Sequence, residues 1–248
     1  AALCLKDIHT IPMSALAGDN VVVPSDKMDW YQGPTLIELL ESLSVYDDEH
    51  AAALRFPVQL VARHNGHEAN DFRGYMGRIE AGTVKKGDKV TVLPAGQTAT
   101  VKDIVTLDGS LESASAGKSV TILLEEYVDI SRGDMLVASD APATVLKDVK
   151  ADVCWLSEEP LDLRRKYWLK HTTRQVAAKV KSIDSLLDIN TQERHDGTEL
   201  KLNGIATISL TVQQPLAADA YDAIRATGSF ILIDEISHQT VAAGMIRL

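Results

Sequence analysis

The chain has 248 residues, of which 45% are hydrophobic and 24% are charged, and its formal net charge is −10. This composition is typical of a soluble globular protein, and no apolar run approaches the ~20 residues that a membrane-spanning helix needs. Cys4 and Cys154 are too few for a four-cysteine zinc site or a disulfide framework, which fits a reducing cytoplasm. The acidic balance also argues mildly against a nucleic-acid partner.

The first 45 residues predict a short strand, a loop and a helix. Ile8 to Met13 forms the apolar strand candidate, and Thr35 with Glu38 three residues later matches a helix capping box. The leucines that follow recur at helical spacing, so one face of this helix should be buried. Residues 46–54, which include the acidic run Tyr46-Asp47-Asp48-Glu49-His50, are expected to be a linker.

From residue 55 onward the pattern changes to short segments rich in valine, isoleucine and threonine, separated by glycine turns. Segments of this kind predict a small antiparallel barrel or sandwich, and residues 55–141 are interpreted as one such domain. Residues 142–248 repeat the pattern and are interpreted as a second all-β domain. The predicted fold class is therefore mainly β.

The segment GTVKKGDK, residues 82–89, comes close to a phosphate-binding loop of the form G-x-x-x-x-G-K-[ST]. Such a loop needs backbone N–H groups at a helix N-terminus, a lysine, and a hydroxyl that binds the metal. Here Asp88 follows the second glycine, Val90 replaces the hydroxyl residue, and the next residues alternate like a strand. The segment therefore predicts two turns, the second of them a hairpin turn at Gly87-Asp88 into the next strand, and no nucleotide site.

A second candidate site is the segment HNGHEAND, in which His64 and His67 are close to Glu68 and Asp71. The spacing allows a metal site, but polar residues are usual in a loop that also contains glycine and asparagine. We interpret it as a solvated loop, and we expect no metal ligand and no catalytic residue in this chain. The aromatic residues are expected to pack in cores or between domains; they are Trp30, Tyr31, Trp155 and Trp168.

The segment FRGYMGRIEAGTVKKGDKVTVLPAG resembles the second domain of translation-factor-type GTPases. The shared pattern is carried by Gly77, Ile79, Gly82, Val84, Gly87 and Asp88. Other blocks narrow the resemblance to the large, GTP-binding subunit of bacterial sulfate adenylyltransferases (ATP sulfurylases). They are MDWYQGPTLIELLE, DFRGYMGRIEAG, IVTLDG, EEYVDISRGD, LNGIATISLTVQQPL and TGSFILID, and they follow in order along essentially the whole chain.

This resemblance implies the C-terminal part of such a subunit. Residues 1–45 would be the remnant of an α/β G domain, followed by two antiparallel β-barrels of the translation-factor type. Ser14, Ala15 and Leu16 match the last guanine-binding motif of the family, which contacts the base only in an intact G domain. Asp71 to Gly74 spells the family's D-x-x-G switch motif, but it lies inside the first barrel and is not that switch.

The resemblance also implies a function. The intact subunit would use GTP and Mg²⁺, while this chain, which lacks the phosphate-binding motifs, is expected to bind neither. GTP hydrolysis in the family is coupled to synthesis of adenosine 5′-phosphosulfate from ATP and sulfate, and the partner is a small catalytic subunit. The barrels are then expected to dock that partner and transmit motion.

Two alternatives remain open. The barrels could belong to a relative of translation elongation factors and bind tRNA, in which case binding should fall steeply with salt. They could also form a free-standing interaction module.

Overall fold

The structure is a computed structural model that describes residues 8–43, 51–64 and 72–248. The chain divides into two compact units, Ala1–Asp47 and Asp48–Leu248. Within the described ranges, no helix is long and apolar enough to cross a membrane. The acidic residues 46–50 lie outside these ranges, as do His67, Glu68 and Asp71 of the candidate metal loop.

The first unit contains helix α1, Leu36–Ser42, which begins at the predicted capping box. The Glu38 carboxylate accepts a hydrogen bond from the Thr35 N–H at 2.8 Å, and the Thr35 hydroxyl accepts one from the Glu38 N–H at 3.3 Å. These two bonds satisfy backbone donors that the first helical turn leaves without partners. The predicted helix start is confirmed.

Two other features of this unit differ from the sequence-based expectation. Ile8 to Met13 is not a regular strand, because the described part of the unit supplies isolated bridges, such as Ser14 with Asp19, in place of a pairing strand. The apolar face of α1 is not covered either: the helix has no buried residue, and Leu40 is 55% exposed.

The second unit begins with barrel 1. Strands β4, β9, β1, β2, β8 and β5 pair in that order, and β5 pairs back with β4, which closes a six-stranded barrel. Strand β6 pairs with β5 outside the closed barrel, and β3 pairs with β7 as a separate two-stranded sheet. The strands are β1 Arg55–His64, β2 Phe72–Arg78, β3 Thr83–Lys85, β4 Lys89–Leu93, β5 Gln97–Thr106, β6 Gly109–Leu111, β7 Ser113–Ser115, β8 Ser119–Leu124 and β9 Met135–Ala138.

The GTVKKGDK segment forms turns, as predicted. Gly82 has φ +75° and Gly87 has φ +85°, a region of backbone conformation that favours glycine. The Asp88 carboxylate accepts a hydrogen bond from the Lys85 N–H at 2.8 Å. One detail of the prediction is wrong: the second turn is not a hairpin, since β3 pairs with β7 whereas β4 pairs with β5 and β9.

Barrel 2 closes in the same way. Strands β11, β15, β16, β10, β14 and β12 pair in that order, and β12 pairs back with β11. Strand β13 pairs with β12 outside the closed barrel. A four-residue helix, α2, precedes β15. The elements are β10 Thr144–Trp155, β11 Tyr167–His171, β12 Arg174–Leu187, β13 Arg194–His195, β14 Ile205–Ala218, α2 Arg225–Gly228, β15 Ser229–Asp234 and β16 Thr240–Arg247.

Each barrel has its own apolar core, filled by alternate residues of its strands. Trp155 packs in the core of barrel 2, where its indole N–H donates to the Glu159 carbonyl at 2.7 Å, as expected for a buried tryptophan. Trp30, by contrast, is 73% exposed, so the expectation that it packs in a core is wrong. Two closed barrels of this kind confirm the predicted fold class.

Candidate functional site: the junction between the two barrels

Ser14, Ala15 and Leu16, the predicted guanine contact, lie on an exposed turn of the first unit. The Ser14 hydroxyl accepts a hydrogen bond from the Ala17 N–H at 3.2 Å, and the Ser14 N–H donates to the Asp19 carbonyl at 3.2 Å. The Leu16 side chain is fully exposed. The turn presents backbone to solvent, and its contact with a guanine base stays a prediction.

A buried asparagine that the sequence analysis did not single out holds this turn region together. The Asn20 side chain donates to the Pro12 carbonyl at 2.8 Å and accepts from the Ser25 N–H at 2.8 Å. The backbone carbonyl of Asn20 accepts a hydrogen bond from the Leu36 N–H at 3.0 Å, at the start of α1. Asn20 therefore fixes the turn relative to α1 inside this unit.

The glycine loop at residues 82–89 does not fit the phosphates of GTP. The one glycine loop that resembles a phosphate cradle continues into strand β4, so it lacks the helix N-terminus that such a cradle uses. In this loop the Lys85 N–H already donates a hydrogen bond to the Asp88 carboxylate, so it is not free to bind a phosphate. Within the described ranges, no group of three His, Cys, Asp or Glu side chains could hold a metal ion.

The polar groups that the fold does bring together lie where the two barrels meet. Arg55, at the start of β1, is 4% exposed and forms a bidentate ion pair with Asp219, which follows β14. Nε and Nη2 of Arg55 each lie 2.8 Å from a carboxylate oxygen of Asp219. Nη1 donates to the carbonyls of Leu54 and Ala141, both at 2.9 Å. One guanidinium thus joins barrel 1, the connecting segment and barrel 2.

The Asp219 carboxylate is itself held in place by barrel 2. It accepts a hydrogen bond from the Thr227 hydroxyl at 2.6 Å, and Thr227 is fully buried in α2. The Thr227 carbonyl lies 2.7 Å from Nε2 of His171. Because a carbonyl oxygen only accepts, Nε2 carries the proton. Burial lowers the pKa of His171 below its ordinary value, against the opposing effect of this hydrogen bond.

A second arginine crosses the junction in the opposite direction. Arg174, at the start of β12, donates from Nη1 to the Asp134 carboxylate at 3.1 Å and to the Gly133 carbonyl at 3.3 Å. Gly133 and Asp134 belong to the turn before β9, and the Asp134 carboxylate also accepts from the Ser131 N–H at 2.8 Å. The Ser-Arg-Gly-Asp turn therefore contacts barrel 2.

A small apolar cluster joins the two barrels as well. It combines side chains of β4 and β9 with one residue just before β10 and one near the end of β14. Its members are Leu93, Met135, Val137, Ala143 and Ala217. The junction thus has an apolar part, one nearly buried arginine–aspartate pair and one partly buried pair. This combination fixes orientation because ion pairs are directional.

The sequence patterns point to one segment of this junction but not to its contacts. The Ser-Arg-Gly-Asp turn lies in EEYVDISRGD, one of the blocks that carry the family resemblance, and nothing in that block predicts its contact with Arg174. Arg55 stands out only as a charged residue at the start of an apolar strand. Its partner Asp219 is 164 positions away, and no spacing rule in a single sequence connects two such residues.

Comparison with known proteins identifies the two barrels. A family model described as elongation factor Tu domain 2 matches residues 75–137. A family model described as GTP-eEF1A C-terminal domain-like matches residues 148–247. Both assignments agree with the closed six-stranded architecture of each barrel.

Similar proteins of known name extend the match to nearly the whole chain. A protein named sulfate adenylyltransferase subunit 1 from Tolumonas auensis is 48% identical over 97% of this chain and 50% of its own length. The protein of the same name from Laribacter hongkongensis is 45% identical over 99% of this chain and 50% of its own length. The chain therefore spans about half the length of the curated relatives it matches.

Solved structures agree on the fold. Sup35 complexed with GMPPNP superposes with a TM-score of 0.73 at 24% identity, over 95% of this chain and 57% of that one. Translation elongation factor SelB from Methanococcus maripaludis, in its apo form, gives a TM-score of 0.62 at 18% identity, over 86% of this chain and 46% of that one. At these identities the likeness establishes the fold alone.

Proposed function

The chain belongs to the family of sulfate adenylyltransferase subunit 1, whose members it spans over about half their length, and we propose that its barrels dock the partner subunit and transmit motion to it. In this proposal the small catalytic subunit transfers the adenylyl group of ATP to sulfate, which yields adenosine 5′-phosphosulfate and pyrophosphate. GTP hydrolysis by the intact subunit 1 drives that synthesis, in the cytoplasm, during sulfate assimilation.

The junction is the observation that carries the docking and transmitting role. An element that passes on a domain movement has to move as a rigid body, because a flexible joint would absorb the displacement. Two arginine–aspartate pairs and an apolar cluster bind barrel 1 to barrel 2 here. The two barrels are therefore suited to move together as one rigid body.

The proposal assigns this chain no reacting group. GTP and Mg²⁺ are ligands of the intact subunit, where Ser14, Ala15 and Leu16 supply a backbone contact to the guanine base. The described residues of this chain contribute rigidity and surface. The alternative in which the barrels bind tRNA has the same fold on its side, but the net charge of −10 offers little to attract a polyanion.

The test is a titration of this chain with the small sulfate adenylyltransferase subunit from the same organism, measured by calorimetry. We expect a one-to-one complex of micromolar affinity or tighter, and no detectable heat when GTP replaces the small subunit. Failure of both this chain and the full-length subunit 1 to bind the small subunit would refute the proposal. Binding of tRNA that weakens steeply with added salt would favour the elongation-factor alternative.

A further inference from the structure

On the outer face of barrel 1, a row of four side chains crosses four neighbouring strands, and three of them are apolar. Leu60 of β1 lies opposite Met76 of β2, Met76 lies opposite Thr121 of β8, and Thr121 lies opposite Val105 of β5. Side chains that alternate along a strand place the core residues on the other face, so this row faces away from the core. Such positions on a small barrel are usually polar, because they meet water.

These side chains are accessible and border a cleft. Leu60 is 56% exposed, Met76 is 38% exposed, and Leu107, in the turn after β5, is fully exposed. The cleft has a volume of about 510 Å³. We call it the barrel 1 cleft; its lining residues come from β1, β2, β8 and the end of β5. Contiguous exposed apolar surface of this kind marks an interaction site more often than isolated exposed side chains do.

Basic side chains line and border the cleft, although the chain as a whole is acidic. Its lining contains no carboxylate, and the one guanidinium in it, that of Arg78, pairs with the Glu80 carboxylate at 3.3 Å. Asp108 is exposed beside the lining residue Leu107. Lys118 is exposed beside the lining residue Ser119. Arg132 donates from Nη1 to the carbonyl of the lining residue Gln59 at 2.8 Å. Among the described residues, neither Lys118 nor Arg132 has an ion-pair partner.

From this combination we infer that the barrel 1 cleft binds an acidic, apolar segment of the partner subunit, an inference that rests on the proposed function. Apolar side chains of that segment pack on Leu60, Met76 and Leu107, and its carboxylates meet Lys118 and Arg132. We call Leu60, Met76 and Leu107 the apolar floor, and Lys118 and Arg132 the cationic edge. The apolar floor supplies affinity, and the cationic edge selects and orients the segment.

Other occupants fit the cleft less well. Single-stranded nucleic acid is commonly held by aromatic rings on which its bases stack, and no aromatic residue lines this cleft. A second copy of the chain carries the same net charge of −10, and like net charges repel. RNA binding and self-association are therefore measured alongside binding of the small subunit.

The experiment compares the affinity of the small subunit for this chain and for the double variant Leu60→Glu/Leu107→Glu. Both positions are largely exposed, so the variant should fold, which circular dichroism and thermal unfolding verify. The matched control is Ile189→Glu, an apolar-to-acidic change at a 66% exposed position of barrel 2. We expect affinity to fall at least about tenfold in the double variant and to change less than about twofold in the control.

A second pair of variants tests the cationic edge. Arg132→Glu should weaken binding and reduce its dependence on salt, whereas Lys166→Glu, an exposed lysine of barrel 2, should leave both unchanged. These variants keep the apolar floor intact and so separate charge from packing.

The outcomes distinguish the inference from the function on which it rests. If the unaltered chain binds the small subunit and both cleft variants bind it equally well, the inference is wrong and the docking function stands. If neither the unaltered chain nor the full-length subunit 1 binds the small subunit, both are wrong. Loss of RNA binding or of self-association in the Leu60→Glu/Leu107→Glu variant, with unchanged binding of the small subunit, would assign the cleft to those occupants and overturn the inference.

Discussion

Single residues at the junction decide how firmly the barrels are joined. Arg55 and Asp219 are both largely withdrawn from solvent, with side chains 5% and 12% exposed. Removal of one partner from such a pair leaves an uncompensated buried charge, which costs more than the pair contributes. Exposed ion pairs contribute far less, because water screens them and the side chains lose freedom when they meet.

The variant Asp219→Ala should therefore lower the free energy of unfolding by about 3–5 kcal/mol. Its control is Glu199→Ala, which removes an exposed ion pair with Lys201 (3.0 Å) and should cost no more than about 1 kcal/mol. Urea unfolding followed by circular dichroism measures both. Equal losses in the two variants would contradict the account of the junction.

A second residue-scale prediction concerns His171, which faces Asp219 and Arg174. Its pKa is lowered in the folded protein by burial, so below the ordinary value of about 6.5 the unfolded chain binds a proton that the folded chain does not. The unfolded state then binds more protons, and stability falls as the pH is lowered through this window, by at most about 1.4 kcal/mol per pH unit. Above a pH of about 6.5, His171 is largely unprotonated in both states, and it no longer makes stability depend on pH.

His171→Gln can still donate a hydrogen bond to the Thr227 carbonyl but cannot titrate. Between pH 7.5 and pH 5.5 we expect the original chain to lose more stability than this variant, measured by urea unfolding at each pH. Parallel losses in the two proteins would show that His171 does not take up its proton on unfolding.

At the scale of elements, the turn before β9 performs two tasks. It leads the chain into the last strand of barrel 1, and it places Gly133 against Arg174 of barrel 2. Gly133 has φ +95°, and a side-chain carbon there would lie 3.2 Å from Cγ of Arg174. The turn therefore needs glycine both for its backbone conformation and for the close approach of the second barrel.

Gly133→Ala should destabilise the protein more than Gly87→Ala does. Gly87 has a similar φ of +85° but open space around the added carbon, so its substitution measures the backbone strain alone, about 1–2 kcal/mol. The difference between the two variants measures contact with barrel 2. Identical unfolding free energies would indicate that Arg174 gives way without cost.

The elements themselves were largely predictable, and their partners were not. The capping box at Thr35 fixed the start of α1, and glycine turns between valine-rich segments indicated the barrel strands. The Ile8–Met13 strand was predicted wrongly, since an apolar run becomes a strand only beside a pairing partner. The pairing of β3 with β7, and of Arg55 with Asp219, depends on long-range contacts that local patterns do not encode.

At the scale of the whole molecule, the proposed transmission of motion requires the two barrels to behave as one body. Each barrel has a separate core, so each could in principle reorient about the segment around Pro142. The two arginine–aspartate pairs and the apolar cluster oppose that motion. A docking surface on barrel 1 can then respond to forces applied to barrel 2.

The most direct measurement is the distance between spin labels on the two barrels, determined by pulsed electron paramagnetic resonance. Labels at Lys102→Cys and Lys179→Cys, both exposed strand positions, are introduced after Cys4→Ser and Cys154→Ser. We expect a single narrow distance distribution that broadens when Asp219→Ala and Arg174→Ala are added. A broad distribution in the protein with an intact junction would contradict the claim that the barrels move as one.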